Sequence, residues 1–185
     1  GYVEQFFSAG NAHQNSFNLP KLRILLSQAS NDLRMKTIGP VNAAIGQGEV
    51  FRYFDVLRSV IEQASSDLLF VDRYMGPDFV SKYLALVREG AVVRLLTREK
   101  VPALVASASA FAKENSIKIE IRSGDGFHDR WLFVDRATCY QSGASFKDGG
   151  KNDATTLTQN VDAFPQLLAI YEGLWQSAAP HTLLK

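Results

Sequence analysis

Three short, continuous apolar runs constrain what this chain can fold into. Leu68-Leu-Phe-Val71 is bounded by Asp67 and Asp72, Val92-Val93 and Leu95-Leu96 flank one polar position, and Trp131-Leu-Phe-Val134 is unbroken. Runs of this length, set between turn signals, read as buried strands. Ile117, Ile119 and Ile121 alternate in another strand, and residues 138–141 and 155–159 supply two more. Helical spacing fills the intervals. One apolar stripe runs through residues 49–65 (Val50, Phe54, Leu57, Ile61, Ala64), and residues 78–88 and 102–114 follow the same period. A long stripe at residues 162–177 carries Phe164, Leu167, Leu168, Tyr171, Leu174 and Trp175. Helices alternating with apolar strands predict an α/β fold with a mixed, mostly parallel sheet and helices on both faces.

The 185 residues suit one domain plus an extension, which is read as residues 1–48, with the domain proper at 49–185. Pro20, with Asn18 nearby as a cap, suits the start of one helix in the extension; Leu22, Leu25, Leu26, Ala29 and Leu33 recur at helical spacing. Residues 39–48 read as a Gly-rich connection between two helices, since no strand precedes them to make a phosphate loop. His13 reads as an exposed tail residue. A formal charge of +1 means that any basic site must be local rather than a property of the whole molecule. The single cysteine, Cys139, excludes an internal disulfide and a cysteine-rich metal site, so no metal and no cofactor is expected. It also fits a reducing, cytoplasmic setting. No apolar run is long enough to span a bilayer. The start at Gly1 leads to the expectation of further domains in a longer parent chain.

The chemistry concentrates in Gly126-Phe-His-Asp-Arg-Trp-Leu-Phe-Val-Asp135 and the following Gln141-Ser-Gly-Ala-Ser-Phe-Lys-Asp148. Alternate side chains of a strand share a face, so His128 and Arg130 are expected on one side and Asp129 on the other. Asp135 falls where the apolar run stops. The small residues Ser142, Gly143, Ala144 and Ser145 form a turn whose backbone N–H groups can approach a ligand, and Lys147 follows it. In parallel sheets, ligands sit beyond the carboxyl ends of the strands, where Arg98 and Arg122 offer a basic rim. An imidazole, two cations, a carboxylate and a small-residue turn suit a phosphate-bearing ligand.

The pattern His128-x-Arg130-x4-Asp135, followed by Gly143-Ala-Ser145, resembles the signature of the phospholipase D superfamily. That signature is His-x-Lys-x4-Asp with a Gly-Ser-x-Asn turn. The wording His-Asp-Arg-Trp is similar to degenerate branches, among them the phospholipase D-like C-terminal module of proteins with a microtubule-interacting-and-trafficking domain. The resemblance spans roughly residues 67–178 and implies a phospholipase D-like half-unit. It implies catalytic positions at His128, Arg130 and Asp135; Ser142, Gly143, Ser145 and Lys147 of the turn, and Arg98 from the basic rim, are the expected phosphate contacts. Active members use two histidines, one attacking phosphorus and one protonating the leaving group. This chain has one such motif, with Arg for Lys and with Phe146 or Lys147 where the turn Asn belongs. The expectation is therefore a module of a larger protein that recognises nucleic-acid or lipid phosphates without efficient catalysis. The alternatives are a homodimeric phosphodiesterase or nuclease using His128 from each chain, and a protein-interaction domain with a vestigial pocket.

Overall fold

The structure, a computed structural model, describes residues 41–183. The helix expected from Pro20 and the tail residue His13 lie outside the described residues. The described elements run β1 (Asn42–Ile45), α1 (Val50–Ile61), β2 (Asp67–Val71), α2 (Pro77–Tyr83), β3 (Val92–Thr97) and α3 (Val101–Asn115). They continue with β4 (Lys118–Ser123), β5 (Arg130–Val134), β6 (Thr138–Ser142), β7 (Thr155–Gln159), α4 (Phe164–Ser177) and β8 (Ala179–His181). A 3₁₀ turn, Leu84–Leu86, prolongs α2. No helix among the described residues is long and apolar enough to cross a membrane.

The strands form one sheet in the order β1-β7-β6-β5-β2-β3-β4-β8. Only β2–β3 and β3–β4 pair in parallel; the other five pairings are antiparallel. The expectation of a mostly parallel sheet is thus corrected. The two helical crossovers, α2 and α3, do produce parallel pairs. The link from Val134 to Thr138 is far too short for a crossover, so β5 and β6 form a hairpin. Continuous apolar runs report burial on both faces, which an antiparallel centre satisfies equally well. A second correction concerns residues 39–48. Part of this stretch is strand β1, paired with β7 from Asn42↔Thr158 to Ile45↔Thr155, rather than a plain link between helices.

Alternation along the strands divides the core. Leu68, Phe70, Leu132, Val134 and Tyr140 face α1, α2 and α3, while Leu69, Val71, Trp131, Phe133 and Cys139 face α4. The expected stripe of α4 is borne out by buried Tyr171 and Trp175. That of α1 is rotated: Tyr53 and Val60 are buried, whereas Val50 is 41% exposed. The tyrosine at 53 takes the inward place because its hydroxyl finds a buried partner in Ser142 at 2.7 Å.

Two ionic knots fix the sheet. Asp135, with φ +51°, turns the β5–β6 hairpin. Its carboxylate accepts the backbone N–H groups of Ser65 (2.9 Å), Ser66 (2.8 Å) and Asp67 (2.9 Å), and both serine hydroxyls (2.7 and 2.9 Å). Burial alone would raise its pKa, but the Asp67 and Ser65 hydrogen bonds outweigh it and hold the carboxyl well below the usual range. On the α4 face, Arg94 is buried within β3. It forks onto Asp67 (2.6 Å) and Glu172 (2.8 Å), with its guanidinium carbon 5.3 Å from the Trp175 ring centroid. Arg136 reinforces the same two carboxylates from the surface.

Asp135→Asn is expected to cost about 2–3 kcal/mol at pH 7, the scale of charge-assisted hydrogen bonds. Because the folded pKa is depressed, that stability is present above the unfolded carboxyl pKa of about 4 and is lost as pH falls through the folded value. Urea unfolding at pH 7 and pH 3 should show the gap between parent and variant narrowing, but not closing, at the lower pH. Arg94→Ala is expected to cost about 3 kcal/mol, the lower end for breaking a buried pair, because Arg136 still faces the two orphaned carboxylates. Equal urea midpoints for parent and variant would contradict this.

Candidate functional site

Strand β5 sets the site. Its odd-numbered residues Trp131 and Phe133 face α4, so Arg130, of the same parity as Leu132 and Val134, turns to the opposite side. Asp129 lies toward α4, where it joins burial in pushing the Tyr171 phenol up to about 12. Asp129 and Arg130 thus take the opposite sides expected of them. Arg130 is paired in register with Ser142 of β6. The guanidinium of Arg130 forms no ion pair among the described residues, and its Nε is buried without a hydrogen-bond partner. It lines a pocket of about 330 Å³, beside Ser145, Lys147 and Tyr74, with Asn152 and Asp153 at the rim.

The wall of this pocket is held from below. Asp72, at the carboxyl end of β2, is fully buried. Its Oδ2 accepts the Ser145 hydroxyl (2.7 Å) and the Phe146 N–H (2.9 Å), and its Oδ1 accepts the Tyr74 N–H (3.0 Å). One carboxylate therefore fixes both the turn after β6 and the loop after β2. Phe146 sends its ring into the core against Phe70, with centroids 5.5 Å apart, and Tyr83 donates to its carbonyl at 2.9 Å. The side chain at the turn-Asn position is thereby withdrawn from the pocket, and Lys147 emerges there instead, touching Asp148. Gly149 packs flat on the Tyr53 ring; a Cβ there would sit 2.2 Å from a ring carbon. Only glycine lets the 147–153 loop approach closely enough to close the pocket side.

The structure brings together Arg130, Ser145 and Lys147 of the expected residues. The others lie elsewhere. Ser142 is buried behind the wall, donating to Ala144 O at 2.7 Å and bonded to Tyr53, whose phenol burial pushes well above its usual range. The N–H of Gly143 is spent on Thr156 O at 3.0 Å, so the turn is mostly self-satisfied rather than an open anion cradle. Asp135 is at the far end of β5, roughly 16 Å away along the strand at 3.3 Å per residue, and serves the Ser65–Asp67 turn. Arg98 pairs with Asp125 at 2.6 Å. Arg122 binds Trp175 O at 2.8 Å, with its guanidinium carbon 4.9 Å from that tryptophan's ring centroid. His128 is exposed, just before β5, and makes no hydrogen bond among the described residues. Asp72 and Tyr74 are missing from the residues that the sequence picked out for the site. The signal was a carboxylate directly after a buried strand, where only a hydrogen-bonded role is tolerable.

No protein-family profile matches the sequence, and no curated protein matches it. Solved structures do. Nuc from Salmonella typhimurium, a phospholipase D family member, matches with a TM-score of 0.57 at 18% identity, covering 77% of this chain and 98% of its own. NucT from Helicobacter pylori matches at 0.56 and 13% identity, covering 77% and 99%. TrmBL2, an archaeal chromatin protein with a novel mode of DNA binding, matches at 0.53 and 14% identity, covering 91% and 66%. Helices on both faces of a mixed sheet agree with these likenesses: the chain has a phospholipase D-like fold.

Proposed function

We propose that this chain is a phosphate-recognising module on a phospholipase D-like fold, binding a nucleic-acid or lipid phosphate without efficient turnover. The observation that carries this reading is Arg130. Leaving a guanidinium N–H buried and unpaired costs free energy, and an anion in the pocket supplies the missing acceptor. Ser145, with its hydroxyl anchored on Asp72, and Lys147 stand beside it. Weak catalysis follows from His128. A catalytic imidazole must be oriented by a hydrogen-bonded partner, and this one is exposed with none among the described residues. The motif aspartate, Asp135, is committed to the Ser65–Asp67 turn.

A homodimeric phosphodiesterase is the second reading. It is favoured by the likeness to Nuc and NucT, which extends over nearly their whole lengths. A second copy would bring a second His128.

Calorimetric titration with glycerol phosphate tests the first reading. Arg130→Ala should weaken binding about ten- to a hundredfold, the value of a charge-assisted hydrogen bond, and leave the urea midpoint nearly unchanged. Equal binding by parent and variant would remove Arg130 from the site. Turnover of bis-p-nitrophenyl phosphate by the purified chain should be negligible. Hydrolysis that disappears in His128→Ala, together with a dimeric mass in solution, would install the dimeric enzyme.

A further inference from the structure

The pocket around Arg130 has more in it than a phosphate requires. We infer that it holds a whole nucleotide, with the phosphate on Arg130 and the base against Tyr74; this rests on the phosphate-recognising reading and goes past it to the ligand's class. Three features of the lining point this way. The first is Tyr74, a half-buried aromatic side chain in the pocket wall. Its backbone is pinned by the Tyr74 N–H to Asp72 bond at 3.0 Å, and the Arg73 guanidinium carbon stands 5.9 Å from its ring centroid. A ring fixed at this place gives a base a surface to stack on, and every base has a π-face to offer.

The second feature is the pair Asn152 and Asp153 on the same pocket. Both are exposed and make no hydrogen bond among the described residues. An amide offers a donor and an acceptor, and a carboxylate accepts from an exocyclic amine. These are the groups that read the edge of a base, and a bare phosphate uses neither acceptor.

The third is charge and size. Arg130 and Lys147 are matched by Asp148 and Asp153, so the lining carries no net charge. A surface built for an anionic bilayer shows clustered Lys and Arg instead. The exposed apolar side chains that would enter a membrane, Phe51 (77% exposed) and Val161 (61%), do not line this pocket. The volume of 330 Å³ lies at the small end of ligand pockets, about 300–1,000 Å³, room for one nucleotide rather than for a stretch of strand.

The test is calorimetric titration of the full chain with the four nucleoside 5′-monophosphates, with ribose 5-phosphate, and with phosphatidylserine and phosphatidylcholine vesicles. At least one nucleotide should bind about tenfold or more tighter than ribose 5-phosphate, the increment expected of one stacked base. Tyr74→Ala should abolish that margin without changing ribose 5-phosphate binding, and Tyr74→Phe, which keeps the ring, should preserve it. Ribose 5-phosphate binding as tightly as every nucleotide would overturn the nucleotide assignment and leave the phosphate site standing. Binding of neither would remove both. Vesicle binding that depends on Arg130 but not on Tyr74 would make the ligand a lipid headgroup and also overturn the assignment.

Discussion

A fully buried carboxylate has to find donors, and at Asp72 the donors are the parts that make the pocket. Ser145, Phe146 and Tyr74 come from two loops that follow different strands, and no regular pairing would otherwise bring them together. Three hydrogen bonds to one charge replace the water it lost on folding. Take the charge away and the turn after β6 has no reason to lie against the end of β2. The ring of Phe146 is seated by the same contact. Its N–H is held by Asp72 while its side chain fills the space between Phe70 and Phe79. Polar anchoring and apolar packing therefore act on one residue, and the pocket wall inherits the rigidity of the core.

The opposite end of β5 is closed by a different charge with similar logic. Three consecutive backbone N–H groups from Ser65 to Asp67 converge on Asp135, a concavity made for an anion and filled by the protein's own. The strand between Asp135 and Arg130 is thus clamped at one end by a satisfied carboxylate and carries at the other a guanidinium whose buried Nε has no partner. That contrast explains how one motif serves two purposes. Its aspartate fixes the hairpin and its register, and the register determines that Arg130 emerges on the pocket side.

Much of this was legible in the sequence. The apolar runs located β2, β3 and β5, and period-two alternation put Asp129 and Arg130 on opposite sides. The direction of the strands was less legible, because burial on both faces looks the same in parallel and antiparallel settings. The short interval from Val134 to Thr138 was the clue, and the hairpin is what it demands. Arg94 was illegible for another reason. A single polar residue inside an apolar strand signals burial with partners but does not name them, and Asp67 and Glu172 come from 27 residues before and 78 after. Strand β1 was hidden because a four-residue, half-exposed edge strand of Asn, two Ala and Ile, running into Gly46, looks like loop. Sequence spacing also grouped Asp135 with His128 and Arg130. A motif of consecutive positions along a strand spreads over the strand's length, so its two ends cannot share a pocket.

Under the proposed function, the distribution of satisfied and unsatisfied groups sets recognition apart from chemistry. In a site built for phosphoryl transfer, the nucleophile is the group the surroundings hold most firmly, since misplacing it forfeits the entropic gain of orientation. Here the firmly held groups are Ser142, Ser145 and Asp72, which shape the wall, while His128 stands in solvent. The group left wanting a partner is Arg130, which can bind an anion but cannot attack one. Lys147, the compact charge beside it, is drawn toward Asp148. The cation that remains for a ligand is therefore a planar fork with a buried N–H. Such a group selects for two oxygens in a plane and gains most when water is excluded around it. A flat base stacked over the mouth of the pocket would provide that exclusion, which ties the aromatic wall at Tyr74 to the strength of the phosphate contact beneath it.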